Sequence, residues 1–354
     1  MLPDYRRDNP YQKLLVDALA KLHVGVRFPR GYRRGLPLFR ETWAQRTDVL
    51  HLHWLTPYIR GKGAVAQAVY SVKLWLDLLL VRLSGVKVVW TIHNRLSHEA
   101  KFPQQERLLQ RALARLVHAR IVHSASAAEL LGGDLSLEPN RFTVIPHGHY
   151  RDAYGAPVPA AEAKQRLGLS ASSRIFLYFG MIRSYKGVDD LIRVWKQIQT
   201  TPDDFLMIAG YTADKEYVRK LDSLATACSS IRLDIRSVPN SELPVLFGAA
   251  DVVVLPFRQV LTSGSMLLAM SYSRPVIAPR FRELAETLQE AGALLYDAGA
   301  TNAGLQKSLE AVLSRAVNID SLSLETRKRC DNLDWSHIAK STRACYAHAL
   351  HRDA

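Results

Sequence analysis

The sequence predicts an α/β protein with two Rossmann-like, doubly wound domains that face each other across a cleft. Short apolar runs alternate with helix-length segments along the chain, which is the pattern of parallel βαβ units. The alternation breaks once, between residues 148 and 174, and then restarts. The 354 residues are 48% hydrophobic and 23% charged, which excludes a disordered or low-complexity protein and suits two domains.

The first predicted domain covers residues 1–150. Its clearest helix start is Asn9-Pro10, because asparagine caps a helix and proline suits the first helical position. Only Met1, Leu2 and Pro3 precede a polar loop, where this fold expects an apolar strand. Either the assigned start is late and part of strand one is missing, or the first strand is short. The predicted strands are 47–53, 86–92, 119–123 and 142–146, and the predicted helices are 10–22, 64–83 and 103–117.

A linker is expected at residues 151–173, where glycine, proline, alanine and serine are frequent. The second domain is predicted at residues 174–333, and a C-terminal helix over 334–354 is expected to pack back on the first domain. The predicted strands of the second domain are 175–179, 205–209, 231–235, 252–255 and 275–277, and its predicted helices are 187–199, 214–227, 241–248 and 264–272.

The positive charge is concentrated in the first third of the chain. The net charge is +14, yet residues 1–120 hold 21 basic and 8 acidic side chains. Such asymmetry predicts one cationic surface for an anionic partner, either a membrane or a lipid diphosphate. Nucleic acid is not expected, because no known binding module is present. Two basic groups stand out: Arg107, Arg111 and Arg115 on one helix face, and Arg27, Arg30, Arg33 and Arg34 beside Phe28 and Tyr32.

The expected location is cytoplasmic, peripheral on the inner face of the plasma membrane. Three widely spaced cysteines fit a reducing compartment, and no segment resembles a signal peptide. The apolar segment 64–83 contains Lys73, Asp77 and Arg82, so it is a poor bilayer span. Two interpretations of this segment remain open, a buried core helix or a helix that enters the membrane interface. The Arg107 stripe is likewise either a membrane contact or a solvated helix face.

Two segments of the second domain are typical of phosphate binding. In residues 178–187 a strand runs into Gly180, and a short loop then brings Arg183 and Lys186 to the start of a helix. Glycine allows close approach, and helix N-termini and cations attract anions. In residues 256–270 the turn Thr262-Ser263-Gly264-Ser265 opens an apolar helix. Each feature alone also has a plain structural interpretation, as a βα turn or a helix cap.

Histidines form two alternating pairs, and a metal site is one interpretation of them. His51 and His53 share one side of a strand beside Trp54, and His147 and His149 repeat this spacing. Zinc needs three or four converging ligands, and nothing in the sequence links the pairs, so no metal is expected. Histidines that line a sugar site, with Trp54 stacking on a sugar ring, and plain packing for His51, are the other interpretations.

The segment 174–280 resembles the nucleotide-binding half of the group-1 glycosyltransferases of GT-B fold. The resemblance is carried by Gly180 to Gly187, Ile208-Ala209-Gly210, residues 250–256 and residues 275–278. In the first half, Thr91-Ile92-His93-Asn94 and Ile145-Pro146-His147-Gly148 are similar to family motifs. The resemblance implies a metal-independent transferase without a cofactor. It would move a sugar from a GDP- or UDP-linked donor, with a mild preference for GDP-mannose, to a saccharide or polyprenyl-diphosphate-linked acceptor in exopolysaccharide or glycolipid synthesis.

The resemblance also implies roles for particular residues. Arg183 and Lys186 would neutralise the diphosphate leaving group, and His93 would orient an acceptor hydroxyl or accept its proton. The other donor-binding residues would be Gly180, Gly210, Tyr211, Pro239, Thr262, Ser263, Gly264 and Ser265. The acceptor-binding residues would be Asn9, Tyr11, His53, Trp54, Asn94 and His147.

The chain departs from the family at two positions. Most members carry two glutamates separated by seven other residues, and the corresponding residues here are Val260 and Leu268. The Thr-Ser-Gly-Ser turn instead resembles that of bacterial exopolysaccharide-type transferases. The stereochemical outcome is therefore open, and an inverting reaction would need a base, with His93, Asp4 or Asp8 as candidates. A catalytically inactive nucleotide-sugar-binding partner of another transferase is the alternative function.

Overall fold

A computed structural model divides the chain into two compact units. Unit 1 consists of Met1–Gly148 and Trp335–Ala354, and unit 2 is His149–Asp334. The structure describes residues 1–7, 9–28, 35–59, 61, 63–97, 101–151, 153–289 and 293–351. Asp8, Arg30, Tyr32, Arg33 and Arg34, which the sequence analysis singled out, lie outside the described residues.

Unit 1 is built on a four-stranded parallel sheet in the order β1-β2-β3-β4. Leu2 extends it beside β1, where its N–H donates to the His51 carbonyl oxygen over 2.9 Å and its own carbonyl accepts from His53 N–H over 2.9 Å. Residues on both sides of the sheet are buried, as parallel sheets require. The strands are β1 (Val49–Leu52), β2 (Lys87–Thr91), β3 (Ala119–Val122) and β4 (Thr143–Val144).

Helices cover this sheet, and the C-terminal helix Trp335–His351 is among them. That helix packs on α1 and contributes Trp335, Ile338 and Tyr346 to the core of unit 1. The other helices are α1 (Pro10–Ala20), α2 (Pro37–Ala44), α3 (Ala64–Leu83), α4 (Pro103–Leu116) and α5 (Ala125–Leu135).

Helix α3 has one buried and one exposed face, although its sequence is apolar on both. Leu74, Leu78 and Val81 are buried in unit 1. On the other side Val69 is 61% exposed and Val72 58% exposed. The helix is long and apolar enough to cross a bilayer, and only 33% of its most apolar window is buried. The interpretation of segment 64–83 as a buried core helix is therefore wrong for its outer face.

Unit 2 contains a six-stranded parallel sheet in the order β10-β9-β8-β5-β6-β7. The chain order reverses between β5 and β8, which creates a crevice at the carboxyl ends of these two strands. Its strands are β5 (Arg174–Phe179), β6 (Asp204–Gly210), β7 (Ile231–Ile235), β8 (Val252–Val254), β9 (Val276–Pro279) and β10 (Ala293–Tyr296).

The helices of unit 2 include one inside the segment expected to be a linker. This helix, α6 (Ala160–Arg166), packs against α9, and the neighbouring Val158 N–H donates to the Pro244 carbonyl oxygen over 3.0 Å. The remaining helices are α7 (Val188–Trp195), α8 (Lys215–Ala225), α9 (Leu243–Ala249), α10 (Gly264–Ser271), α11 (Arg282–Leu288), α12 (Thr301–Leu313) and α13 (Ile319–Asp331).

Candidate functional site

The two segments of unit 2 that are typical of phosphate binding, residues 178–187 and 256–270, meet at the crevice where the strand order of the sheet reverses. Gly180 follows β5 with φ of +138°, and a Cβ there would lie 2.5 Å from the Ser265 Oγ. Gly210 ends β6 with φ of +152°, and a Cβ there would clash with the Gly180 carbonyl oxygen. These positive φ values and close approaches require glycine. The loop after β5 and the turn before α10 are therefore in contact.

Lys186 is held against the segment that follows β8. Its Nζ lies 4.1 Å from the centre of the Phe257 ring, and the Arg258 N–H donates to the neighbouring Tyr185 carbonyl oxygen over 2.9 Å. Burial, together with the positive charge of Arg183, lowers the pKa of Lys186 to about 8. The positive charges of Arg183 and Lys186 thus repel each other where Lys186 is shielded from solvent, and a bound dianion would relieve that repulsion.

The turn Thr262-Ser263-Gly264-Ser265 combines capping with exposure. Ser263 is buried, and its Oγ accepts a hydrogen bond from Met266 N–H over 3.1 Å, so this hydroxyl caps α10. Gly264 is exposed, while Thr262 and Ser265 are half-buried. The first turn of α10 places backbone N–H groups and the positive end of the helix dipole beside Gly180. The capping interpretation and the phosphate interpretation are therefore compatible at this turn.

An ion-pair network that the sequence analysis missed links the segment after β8 to the loop that contains Lys186 and to the start of α7. Arg258 bonds to both acids at the start of α7, with Nη2 3.0 Å from the Asp189 Oδ1 and 2.6 Å from the Asp190 Oδ2. Arg193 pairs with both acids, and Lys220 with Asp189. Burial alone would raise the pKa of Asp189, but hydrogen bonds from Lys220 and Tyr217 and the charge of Arg258 hold it below its ordinary value. The sequence signal that could have predicted this network is the pair of adjacent acids, Asp189 and Asp190, at the start of a helix.

Two further expected donor residues lie near the ends of β6 and β7. Tyr211 follows Gly210, its side chain is 45% exposed, and its carbonyl oxygen accepts from Ile182 N–H over 2.8 Å. Tyr211 is therefore joined to the Gly180 loop. Pro239 lies after the edge strand β7, just before the short turn 240–242.

Unit 1 gathers histidines at the carboxyl ends of all four strands. His53 follows β1, His93 follows β2, His123 follows β3 and His147 follows β4. All four are buried, and Tyr11 of α1 lies in contact with each ring, at centroid distances from 4.6 Å to 5.8 Å. Because the carboxyl ends of parallel strands meet at one edge of a sheet, the clustering of these four histidines could have been predicted from the sequence. The sequence analysis did not name His123 among the expected site residues.

Three of these histidines form a continuous hydrogen-bonded chain. The Nδ1 of His53 lies 3.0 Å from the Nε2 of His93, whose Nδ1 lies 3.1 Å from the Nε2 of His123. The chain ends where the His123 Nδ1 meets the Ile145 carbonyl oxygen at 2.9 Å. The His51 ring lies 4.3 Å from that of His53 but is not hydrogen-bonded to the chain; it bonds instead to Tyr346 Oη at 2.6 Å and Thr91 Oγ1 at 2.7 Å.

Burial keeps this histidine chain neutral. Desolvation lowers the pKa of His123 to about 4, even though the Ile145 carbonyl favours the charged form. Desolvation and neighbouring histidines hold the pKa values of His53 and His93 well below 6.5. Neutral imidazoles present lone pairs at physiological pH, which a general base needs.

The other expected acceptor residues lie around this cluster. Trp54 stacks on His93 with ring centroids 4.4 Å apart, and Asn94 lines a small cavity together with Trp54, His53 and His93. Asn9 instead caps α1, since its side-chain oxygen accepts from Tyr11 N–H over 2.9 Å.

The sequence analysis also considered an acidic base and a metal site. Asp4, an alternative base, is paired with Arg6 at 2.9 Å. Within the described residues, no three His, Cys, Asp or Glu side chains are arranged to hold a metal ion.

Known sequences and solved structures are similar to this chain. The family model for glycosyl transferases group 1 matches residues 173–314. The chain is similar to the GDP-mannose:glycolipid 4-beta-D-mannosyltransferase of Xanthomonas campestris pv. campestris, with 31% identity over 351 residues, which cover 98% of this chain and 90% of that protein. It is also similar to the D-inositol 3-phosphate glycosyltransferase of Xylanimonas cellulosilytica, with 26% identity over 234 residues, which cover 63% and 54% of the two chains.

Solved structures share the fold at low identity. The sucrose-phosphate synthase of Thermosynechococcus elongatus superposes with a TM-score of 0.74 at 18% identity, covering 96% of this chain and 92% of that one. Anabaena HepE in complex with UDP-glucose superposes with a TM-score of 0.70 at 16% identity, covering 95% and 88%. The prediction of two Rossmann-like domains of the GT-B type is confirmed.

Proposed function

The chain belongs to the group 1 glycosyl transferases, and on that basis we propose that it moves mannose from GDP-mannose to a lipid-linked saccharide, with inversion at the anomeric carbon. The observation that carries the proposal is the contact of Gly180 with Ser265, which joins the Lys186 loop to the α10 helix start. The mannosyltransferase relative, similar over nearly the whole chain, supports the choice of donor.

In the proposed reaction unit 2 stabilises the leaving group. The acceptor hydroxyl oxygen attacks the anomeric carbon, the bond to the phosphate oxygen breaks, and GDP leaves with the electron pair. Charge then develops on the diphosphate, where Lys186, Arg183 and the amides of the α10 N-terminus would meet it. Fixed cations of this kind supply the stabilisation that a metal ion gives elsewhere.

Inversion is proposed from the chemistry of donor and product. GDP-mannose carries its sugar in α linkage, whereas the name of the Xanthomonas relative gives a β-linked product. A single displacement converts one into the other and requires a base for the acceptor hydroxyl. Residues 256–270 contain no carboxylate that could serve as this base, and the neutral histidines of unit 1 are suitable.

The experiment is a transfer assay with radiolabelled GDP-mannose and a bacterial polyprenyl-diphosphate saccharide fraction, with UDP-glucose as the competing donor. We expect label from GDP-mannose in the organic phase and a β linkage in the product by NMR. Transfer only from UDP-glucose would contradict the donor, and an α linkage would contradict inversion. Nucleotide binding without turnover of any donor would favour the inactive-partner alternative.

We further propose that unit 1 docks peripherally on the anionic inner face of the plasma membrane. The exposed Val69 and Val72 side of α3 supplies an apolar surface. Its neighbour α4 carries the exposed Arg107 and Arg115, and both helices pack together. Apolar insertion and attraction to anionic lipid reinforce each other at an interface. A lipid-linked acceptor would be reached from the same surface.

Vesicle sedimentation tests the docking surface. In vesicles that contain phosphatidylglycerol, the pair Arg107→Glu and Arg115→Glu should weaken binding roughly tenfold or more, because each basic residue near the surface contributes about 1 kcal/mol. The pair Val69→Asp and Val72→Asp should also release the protein, at low and high salt alike. Leu324→Asp, on the exposed side of α13 in unit 2, is the matched control and should bind normally. Wild-type binding by both pairs would refute docking through α3 and α4.

A further inference from the structure

The hydrogen bonds of the three-histidine chain determine which nitrogens carry protons. The Ile145 carbonyl oxygen only accepts, so the His123 Nδ1 at 2.9 Å must be the donor. In a neutral ring the His123 Nε2 is then an acceptor, and the His93 Nδ1 donates to it. The same logic makes the His53 Nδ1 a donor to the His93 Nε2. All three rings carry the proton on Nδ1.

This polarity leaves a single lone pair at one end. Both nitrogens of His93 are engaged by other histidines, so His93 accepts a proton only through one of these bonds. The His53 Nε2 is buried and has no hydrogen-bond partner among the described residues. A buried basic nitrogen left without a partner costs free energy, which is a common feature of functional sites.

His53 also lines a small cavity whose wall contains both polar and apolar side chains. It measures about 30 Å³ and is lined by His53, Trp54, Asn94, Ser97 and Glu106, among others. That volume suits one hydroxyl group or one water molecule. A general base needs its proton within direct hydrogen-bond reach or one water away.

We propose, resting on the transferase function above, that His53 accepts the proton of the attacking hydroxyl at its Nε2, and that His93 and His123 relay the charge towards the Ile145 carbonyl. The hydroxyl proton moves to the His53 Nε2, and the His53 Nδ1 proton moves to the His93 Nε2. The His93 Nδ1 proton then moves to the His123 Nε2. One proton enters, the two hydrogen bonds between the histidines reverse, and the bond from the His123 Nδ1 to the Ile145 carbonyl keeps its direction. The positive charge then lies on His123, facing that carbonyl.

The first test separates base from scaffold by changing the nucleophile. His53→Asn keeps an N–H near the position of Nδ1 for His93 but removes the lone pair of Nε2. Hydrolysis of GDP-mannose, in which water must lose a proton, should fall about 100-fold or more. Azide carries no proton, so formation of mannosyl azide should stay near the wild-type rate, and the GDP dissociation constant should not change. His51→Asn, at an equally buried position outside the chain, is the matched control.

The outcomes keep the relay and the transferase function apart. Equal loss of hydrolysis and azide transfer in His53→Asn, or no loss in either, would overturn the relay. His123→Asn, which keeps the donor to Ile145 but cannot accept the relayed proton, should reduce hydrolysis and again spare azide. If the wild-type protein processes neither GDP-mannose nor UDP-glucose, the proposed function fails instead.

The second test needs no turnover. In ¹⁵N spectra of a histidine-labelled sample at neutral pH, His53, His93 and His123 should all be neutral and protonated on Nδ1, with signals assigned through the single variants. A His53 ring protonated on Nε2 would reverse the chain and overturn the proposal.

Discussion

Lys186→Ala should lower sugar transfer by about 10²- to 10³-fold, the usual cost of removing one preorganised charge from a developing anion. The ammonium lies over the Phe257 ring, and Lys186 belongs to the loop after β5, where the diphosphate is proposed to bind. Because the side chain is only half-buried, the fold should persist. Steady-state kinetics and circular dichroism together check both statements. Near-normal turnover would mean that the diphosphate binds elsewhere.

Lys186→Arg provides the matched control through pH. Burial lowers the pKa of Lys186 to about 8, so in the free protein the charge is present below pH 8 and lost above it. GDP prefers the charged form, and its affinity should therefore fall from pH 7 to pH 9.5 in the wild type. Arginine stays charged throughout this range, so the variant should show a flatter profile by calorimetry. Equal profiles would remove Lys186 from the nucleotide site.

Unit 1 should unfold in mild acid, well before unit 2. Burial lowers the pKa values of His51 and His147 to about 3 and of His123 to about 4, and those of His53 and His93 lie well below 6.5. Between about pH 6.5 and pH 4 the unfolded chain binds more protons than the folded one, so stability falls as pH falls. One pH unit below 6.5, each buried histidine lowers the free energy of unfolding by roughly 1.4 kcal/mol. The combined loss from five histidines is comparable to the whole free energy of unfolding of a domain, ~5–15 kcal/mol.

Pulse-labelling hydrogen exchange after incubation at pH 7.5 and pH 5.0 measures this effect. Peptides of β1 to β4 should lose protection at pH 5.0, while peptides of β5 to β10 keep it, because His149 is the single histidine of the sequence between residues 149 and 334. His53→Asn removes one titrating group and should make the pH dependence shallower by one proton. Full protection of unit 1 at pH 5.0 would show that these rings accept protons inside the fold.

Much of the fold could be predicted because its local signals are strong. Asn9-Pro10 marks the start of α1, and alternating apolar runs mark nine of the strands of both sheets within a few residues. The helix inside residues 151–173 was missed because glycines and prolines flank a segment of only seven helical residues. The exposed face of α3 was undecided, since residues that are apolar all round do not indicate which side packs.

The two halves of the candidate site differ in how far sequence reasoning reached. The Lys186 loop and the turn at Ser263 are each continuous in sequence, and their meeting follows from the topology of a parallel sheet. The histidine chain joins four strand ends separated by dozens of residues, so pairs of alternating histidines were visible and their linkage was not. Its polarity depends on the Ile145 carbonyl, which no sequence pattern indicates.

The backbone contact between Gly180 and Gly210 has a consequence for engineering donor preference. Because this contact is made by main-chain atoms, it offers no side chain to exchange. Substitutions at Gly180 or Gly210 would therefore gain little in attempts to retarget the enzyme to another nucleotide. At the proposed nucleotide site, Tyr211 has an exposed side chain that can be exchanged, so libraries for altered base selectivity belong at that position.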